Sequence, residues 1–232
     1  MDYNKHKFFM LQILRDIYAD LELANYLGFK GGTALMFFHN LPRFSVDLDF
    51  NLLIADKEKE IEIYQKIRNI LLKYGKIDDE AQKFFGSILV LNYGSGERKL
   101  KVEISNRLHD NHYEVKTFMG INMLVMAVAD MFAHKLCALL DRNELTNRDI
   151  FDCWFFMENR TPINKNIVES RMKMPFTDYL QNCINTLNNL PDKGLLNGIG
   201  DLLEDEMKNF VRTKLRSETI TLLNFYKEFP IL

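Results

Sequence analysis

The sequence predicts an α+β protein, with a small α/β domain over residues 1–118 followed by a helical domain over residues 119–232. Three observations predict it. Residues 45–53 and 99–105 alternate apolar and polar side chains with a period of two, the pattern of half-buried strands. Residues 57–74 repeat apolar side chains at helical spacing. From Ile121 onward only helical patterns occur.

The elements follow in order. A first helix is expected over residues 5–27, with Phe8, Leu11, Ile17, Leu21 and Ala24 among its apolar positions and Gly28 as its stop. Next comes Lys30-Gly-Gly-Thr33. Gly31 and Gly32 let the backbone approach a ligand closely and adopt positive φ. Thr33 is placed to cap a helix over residues 34–39, and the free N–H groups of a helix start attract anions. After a turn at Leu41-Pro42-Arg43, the strand of residues 45–53 alternates Val46, Leu48, Phe50 and Leu52 with Asp47, Asp49 and Asn51. Side chains two apart on a strand point the same way, about 7 Å apart. Asp47 and Asp49 therefore converge, and two convergent carboxylates repel unless a divalent cation neutralises them. Oxygen ligation of this kind suits Mg²⁺ or Mn²⁺, which take one or two carboxylates plus substrate phosphates. An Asp-x-Asp pair alone is commonly a chance feature of a surface strand. Behind a Gly-Gly-Thr helix at this spacing, it resembles the pattern of the nucleotidyltransferase superfamily.

Residues 57–74 form the next helix, with Ile61, Tyr64, Ile67, Ile70 and Leu71 inward and Gly75 closing it. Residues 88–93 and 99–105 read as a hairpin around Gly94-Ser-Gly-Glu97. A hairpin turn explains both of those glycines without a phosphate loop. On the second strand Leu100, Val102 and Ile104 share one face, and Lys101, Glu103 and Ser105 the other. Glu103 is the candidate third carboxylate, beside the plainer reading of a solvated strand residue. A polar stretch over residues 109–116 leads to a domain boundary near residues 117–120. Helices are then expected over residues 121–140 and 147–157, with weaker patterns reaching Phe229.

The helical half carries a second constellation. Asp149 and Asp152 stand three apart, on one helix face. Two antiparallel helices would bring Lys135, Arg142, Arg148, Asp149 and Asp152 to one cleft. Judged alone, such a cluster is more often an ion-pair network tying helices together. Read functionally, Lys135 contacts nucleotide phosphates, and Asp149 or Asp152 positions Lys135 or the acceptor. A basic stripe of Lys208, Arg212 and Arg216 could track a phosphate backbone, although Glu204 and Glu218 flank it as in a solvated face.

Composition bounds the function. A 232-residue chain with 47% hydrophobic residues and 18 Phe can bury a core. A net charge of −2 argues against a strongly basic, non-specific nucleic-acid binder. Cys137, Cys153 and Cys183 are odd in number and lack zinc spacing, which suggests buried thiols in a reducing compartment. His6, His39, His109, His112 and His134 form no metal or triad pattern. The charged N-terminus carries no secretory pattern, and Asp130, His134 and Lys135 interrupt the most apolar run. A cytoplasmic protein with no membrane span is expected.

Together, Lys30-Gly-Gly-Thr-Ala-Leu35, Arg43-Phe-Ser-Val-Asp-Leu-Asp-Phe50, Lys101-Val-Glu-Ile104, Lys135-Leu-Cys-Ala-Leu139 and Arg148-Asp-Ile-Phe-Asp152 resemble the AbiEii/AbiGii nucleotidyltransferase-like toxin family. The resemblance covers the motifs from about Phe29 to Trp154. It implies a minimal nucleotidyltransferase core, a mixed sheet flanked by helices, followed by a helical C-terminal domain. It also implies an NTP substrate, a Mg²⁺ or Mn²⁺ cofactor, a cognate antitoxin and an RNA acceptor, with the 3′ end of tRNA as the expected one. By motif match, Asp47 and Asp49 would be metal ligands and catalytic, with Glu103 as third ligand or general base. Gly31, Gly32, Thr33 and Ser45 would lie at the triphosphate, and Lys135 would bind phosphate. Asp149 or Asp152 would be the late acidic residue. Two other readings stand beside this one: the same chemistry on a small-molecule or protein hydroxyl, and a non-catalytic nucleotide-binding module. The intact Asp-x-Asp argues against the latter.

Overall fold

The computed structural model of the chain describes residues 2–142, 144–191 and 193–231. It comprises two compact units, Met1–Asn40 with Phe44–Met126, and Leu41–Arg43 with Ala127–Leu232. The division at residues 126–127 lies beyond residues 117–120, which end one strand and make the turn of a hairpin inside the first unit.

The first unit opens with α1 (Tyr3–Ala19) and α2 (Leu21–Tyr26), where one long helix was expected. Asp20 causes the break. Its backbone is extended, and its carboxylate accepts hydrogen bonds from the N–H groups of Glu22 and Leu23. Asp is a strong N-cap, so the second helix starts where the first stops. Met10, Ile13, Leu14 and Ile17 form the buried face of α1, whereas Phe8 and Leu21 are exposed. Gly28 ends no helix. It lies in β1 (Leu27–Lys30), under the ring of Tyr113, where any Cβ would collide with that ring.

Next come α3 (Gly31–Phe38), β2 (Asp47–Leu52) and α4 (Lys57–Leu72). Asp56 caps α4, and Ile63 rather than Ile61 faces the core. The remaining strands are β3 (Lys76–Lys83), β4 (Gly86–Asn92), β5 (Leu100–Ser105), β6 (Tyr113–Phe118) and β7 (Ile121–Met126). They form a seven-stranded mixed sheet in the order β3-β4-β5-β2-β1-β7-β6. The centre of the sheet joins two parallel pairs through one antiparallel step. β2 runs parallel to β5 and antiparallel to β1, and β1 runs parallel to β7. The apolar side of β2 is buried, and the Phe50 ring lies 5.4 Å from that of Phe29.

The segment ahead of Gly31 reads as strand or turn and is β1, whereas β3, β6 and β7 escape the sequence reading. β3 (KIDDEAQK) is mostly exposed and polar, and β6 overlaps the polar stretch. The helix expected over residues 121–140 is β7 followed by α5 (Val128–Asp141). A continuous apolar run does not itself distinguish a buried strand from a buried helix.

The second unit continues with α6 (Asn147–Glu158), α7 (Lys165–Met172), α8 (Phe176–Asn188), a 3-10 turn at Gly200–Leu202, α9 (Asp205–Thr213) and α10 (Leu215–Glu228). Its core includes Phe132, stacked on Phe156 at 4.9 Å and meeting Tyr226 edge-on. Cys137, Cys153 and Cys183 are free and buried. The basic stripe does not form on one helix, because the chain breaks at Lys214. Lys208 and Arg212 sit on α9, while Arg216 sits on α10 and donates to the Leu190 carbonyl. Among the described residues, no helix is long and apolar enough to cross a membrane.

The β4–β5 pairing has one tight point. Gly86 has φ +136°, and a Cβ there would lie 2.0 Å from the Ile104 carbonyl oxygen. Gly86→Ala is expected to cost about 1–3 kcal/mol, read as a lower denaturant midpoint. An unchanged midpoint would show that the pairing is looser than the geometry implies.

Candidate active site

The site in the first unit is built on the β2–β5 ladder. Parallel register sets Asp47 beside Lys101 and Asp49 beside Glu103. Paired residues in neighbouring strands face the same side of a sheet, so all four polar side chains share one face. The Lys101 ammonium lies 3.0 Å from Glu103 Oε2 and 3.7 Å from Asp47 Oδ2. Burial pulls Lys101 down, but Asp47, Asp49 and Glu103 outweigh it and raise its pKa. Asp49 moves the other way for a carboxylate. Burial and then the charge of Asp47 push it above its ordinary value, with Lys101 only partly offsetting them.

The Gly-Gly-Thr segment wraps this carboxylate. Gly31 has φ +79°, and a Cβ on it would lie 2.3 Å from Asp49 Oδ2. A side chain there would fill the cradle in which the carboxylate sits. Gly31 and Gly32 begin α3 itself, so their N–H groups belong to its first turn, which has no acceptor within the helix. Thr33 is therefore not the cap that the sequence suggested. It is a buried residue of the helix, and its hydroxyl donates to the Asp47 carbonyl, fastening α3 to the start of β2. Ser45 is buried two residues ahead of Asp47.

A second tie fixes the same point from α1. His6 is fully buried, with Nε2 2.9 Å from the Val46 carbonyl oxygen and Nδ1 2.6 Å from the Tyr93 hydroxyl. A carbonyl only accepts, so Nε2 carries the proton and Nδ1 accepts from Tyr93. Burial lowers the imidazole pKa and favours this neutral form. The sequence reading gave His6 no role, and no local pattern marks it. Its partners lie 40 and 87 residues away.

The donor set suits a hard cation. Among the described residues, no three His, Cys, Asp or Glu side chains form a metal-holding group. Glu103 instead turns to Lys101. The two aspartates alone match what Mg²⁺ asks of a protein, one or two carboxylates with the remaining positions left to phosphate and water.

The second unit contains the other predicted constellation. Lys135 Nζ lies 2.8 Å from Asp152 Oδ2 and 3.2 Å from Asp149 Oδ1, and Arg142 Nε lies 3.2 Å from Asp149 Oδ2. Thr146 caps α6 by accepting from the Asp149 N–H, and its hydroxyl donates to the Asp149 carboxylate. Arg43, which the sequence offers as a turn residue and as the first residue of the Asp-x-Asp motif, completes the network. Its Nε and Nη2 grip the two Asp152 oxygens at 2.7 Å each. Burial alone would raise the Asp152 carboxyl, but Arg43 and then Lys135 hold it down at about 2. Lys135 is raised, since Asp152 and Asp149 outweigh the effect of burial. Arg148, expected in this cluster, lines a separate cavity of about 340 Å³ with Thr146, Asn147 and Lys193.

Comparison with known proteins follows the same lines. The family model described as nucleotidyl transferase AbiEii toxin, type IV TA system, matches residues 12–220. The fold is similar to the crystal structure of JHP933 from Helicobacter pylori, with TM-score 0.61 and 18% identity over 97% of this chain and 92% of that one. It is also similar to MenT4, a nucleotidyltransferase toxin from Mycobacterium tuberculosis H37Rv, with TM-score 0.61 and 18% identity over 96% of this chain and 84% of that one. No curated protein matches the sequence.

The two carboxylate clusters should respond oppositely to neutralisation. Asp152→Asn leaves the buried Arg43 guanidinium and the half-buried Lys135 ammonium facing an amide and is expected to cost about 3–5 kcal/mol at neutral pH. The Asp152 carboxyl is depressed, so its contribution is full above its ordinary 3.8 and lost as pH falls through about 2. Thermal melts of variant and parent should therefore converge in acid. Asp49 is raised, so its charge destabilises the fold at neutral pH and ceases to do so below 3.8. Asp49→Asn should raise the melting temperature of the metal-free protein at pH 7. A lower melting temperature in that variant would show that Asp49 is a structural anchor.

Proposed function

This chain belongs to the nucleotidyl transferase AbiEii toxin family of type IV toxin–antitoxin systems, and from that premise we propose that it transfers a nucleoside monophosphate from an NTP to an RNA hydroxyl, with the 3′ end of tRNA as the acceptor. The observation that carries the proposal is the convergence of Asp47 and Asp49 beside the first turn of α3. It supplies carboxylates for a divalent cation, and backbone N–H groups for phosphate, within one unit.

In this reading Asp47 and Asp49 hold Mg²⁺ or Mn²⁺. When bound, the cation neutralises triphosphate charge and lowers the pKa of the acceptor hydroxyl. The hydroxyl attacks the α-phosphorus in line, and pyrophosphate leaves. Gly31 and Gly32 present N–H groups to the triphosphate, with Ser45 beside them. Thr33 acts through the backbone by holding the Asp47 carbonyl. Glu103 is a third ligand or the general base. In the second unit we assign Lys135 to phosphate and Asp149 or Asp152 to holding its ammonium in place. With three N–H donors, Lys135 can keep both aspartates and still offer one to a phosphate oxygen. A cognate antitoxin is the expected protein partner, and the free, buried thiols suit a cytoplasmic setting.

The test is incubation of the purified chain with Mg²⁺, total tRNA and each α-³²P-labelled NTP in turn, with Asp49→Ala alongside. Label entering tRNA with the parent alone is the expected outcome. Full activity in Asp49→Ala would sink the metal-site assignment. Absence of label, with Mg²⁺-dependent NTP binding lost in the variant, would keep the nucleotide site and transfer the search to another hydroxyl acceptor.

A further inference from the structure

We propose that Lys101 is a resident counter-cation of the carboxylate face, its ammonium holding the charge position that a divalent cation must take over when the nucleotide site is loaded. The inference rests on the assignment of Asp47 and Asp49 to the cation.

Its basis is register. Lys101 is the β5 partner of Asp47, and Glu103 is the partner of Asp49. A lysine two residues before a glutamate on a strand joins the same face. The ammonium then meets Glu103 at 3.0 Å and Asp47 at 3.7 Å. It neutralises carboxylates brought together from both strands. A metal ion on the Asp47 carboxylate, the group that the ammonium and the cation would share, would repel it, because two like charges a few ångströms apart are unfavourable at any protein dielectric. The cation therefore has to displace Lys101, and its affinity for the protein alone is lowered by that competition.

The residue type fits a group that must move. Lysine is a point charge on a flexible four-carbon stem, whereas an arginine fork would lock onto a carboxylate. A displaced ammonium needs a new anion, and the arriving triphosphate is one. Release of Lys101 would thus couple cation binding to nucleotide binding, and such coupling is reciprocal. Lys101 acts on the cation through the carboxylates and is a positioning residue.

The experiment titrates Mn²⁺ into the full chain without nucleotide and follows free Mn²⁺ by electron paramagnetic resonance. The parent is compared with Lys101→Met, Lys101→Gln and Asp49→Ala, each checked for native circular dichroism. Lys101→Met should bind Mn²⁺ at least about fivefold more tightly than the parent, the effect of one unit charge about 4 Å away even when fully water-screened. Lys101→Gln should follow it, and serves if the methionine variant does not fold. Equal or weaker Mn²⁺ binding in the folded variants would overturn the proposal. If Asp49→Ala loses Mn²⁺ while neither lysine variant gains any, the carboxylate site stands and only the role of Lys101 falls. If Asp49→Ala binds as well as the parent, the site assignment fails and the proposal with it.

Discussion

The parallel pairing of β2 with β5 is the constraint from which the site follows. Once Asp49 is opposite Glu103, Lys101 must be opposite Asp47, and four ionisable side chains are committed to one face. A one-residue slip would send all of β2's carboxylates to the apolar side and Leu48 and Phe50 to the polar one. The buried Leu48 and Phe50 therefore lock the geometry of the charges on the opposite face. Around this ladder the chain adds local fastenings at the start of β2, from Thr33 to the Asp47 carbonyl and from His6 to the Val46 carbonyl. Both act on the backbone, and neither engages an aspartate side chain.

The two charged clusters solve opposite problems. In the second unit, Asp149 and Asp152 are surrounded by Arg43, Lys135 and Arg142. Every carboxylate oxygen there has a cation or hydroxyl within hydrogen-bond reach, and burial makes those contacts strong. That cluster is complete within its unit. In the first unit burial, and then the charge of Asp47, raise Asp49 further than Lys101 and the neighbouring Lys30 lower it. The first cluster thus holds a carboxylate whose charged form the fold disfavours, and the second holds one whose charged form it favours.

Much of this was legible in the sequence. Asp47 and Asp49 announce themselves because strand periodicity is exact, and Asp149 and Asp152 because a three-residue step returns to one helix face. The α4 helix and the β4–β5 hairpin were equally plain, having both periodicity and turn residues. What stayed hidden was non-local or compositionally atypical. β7 reads as helix in the sequence because Ile121–Met126 runs without a break into the apolar start of α5. Asp20 looked like an ordinary polar position of a long helix, since capping depends on backbone angles that periodicity does not record. Arg43 could not be matched to Asp152 across 109 residues without the fold. Lys101 stood on the named polar face, but only the register with Asp47 gave it a role.

Arg43 also has a consequence for how the chain reaches this state. Residues 41–43 belong to the second unit although the chain enters them from the first and returns to it at Phe44. As the nascent chain emerges, that guanidinium waits for Asp152 to be synthesised before its partner exists. The helical unit is thus topologically discontinuous, and its folding carries a loop-closure cost that a contiguous bundle avoids. A fragment beginning at residue 127 would retain the helices but lack one of the two cations that grip Asp152. The boundary between the units is a line through the structure, and no single cut in the polypeptide reproduces it.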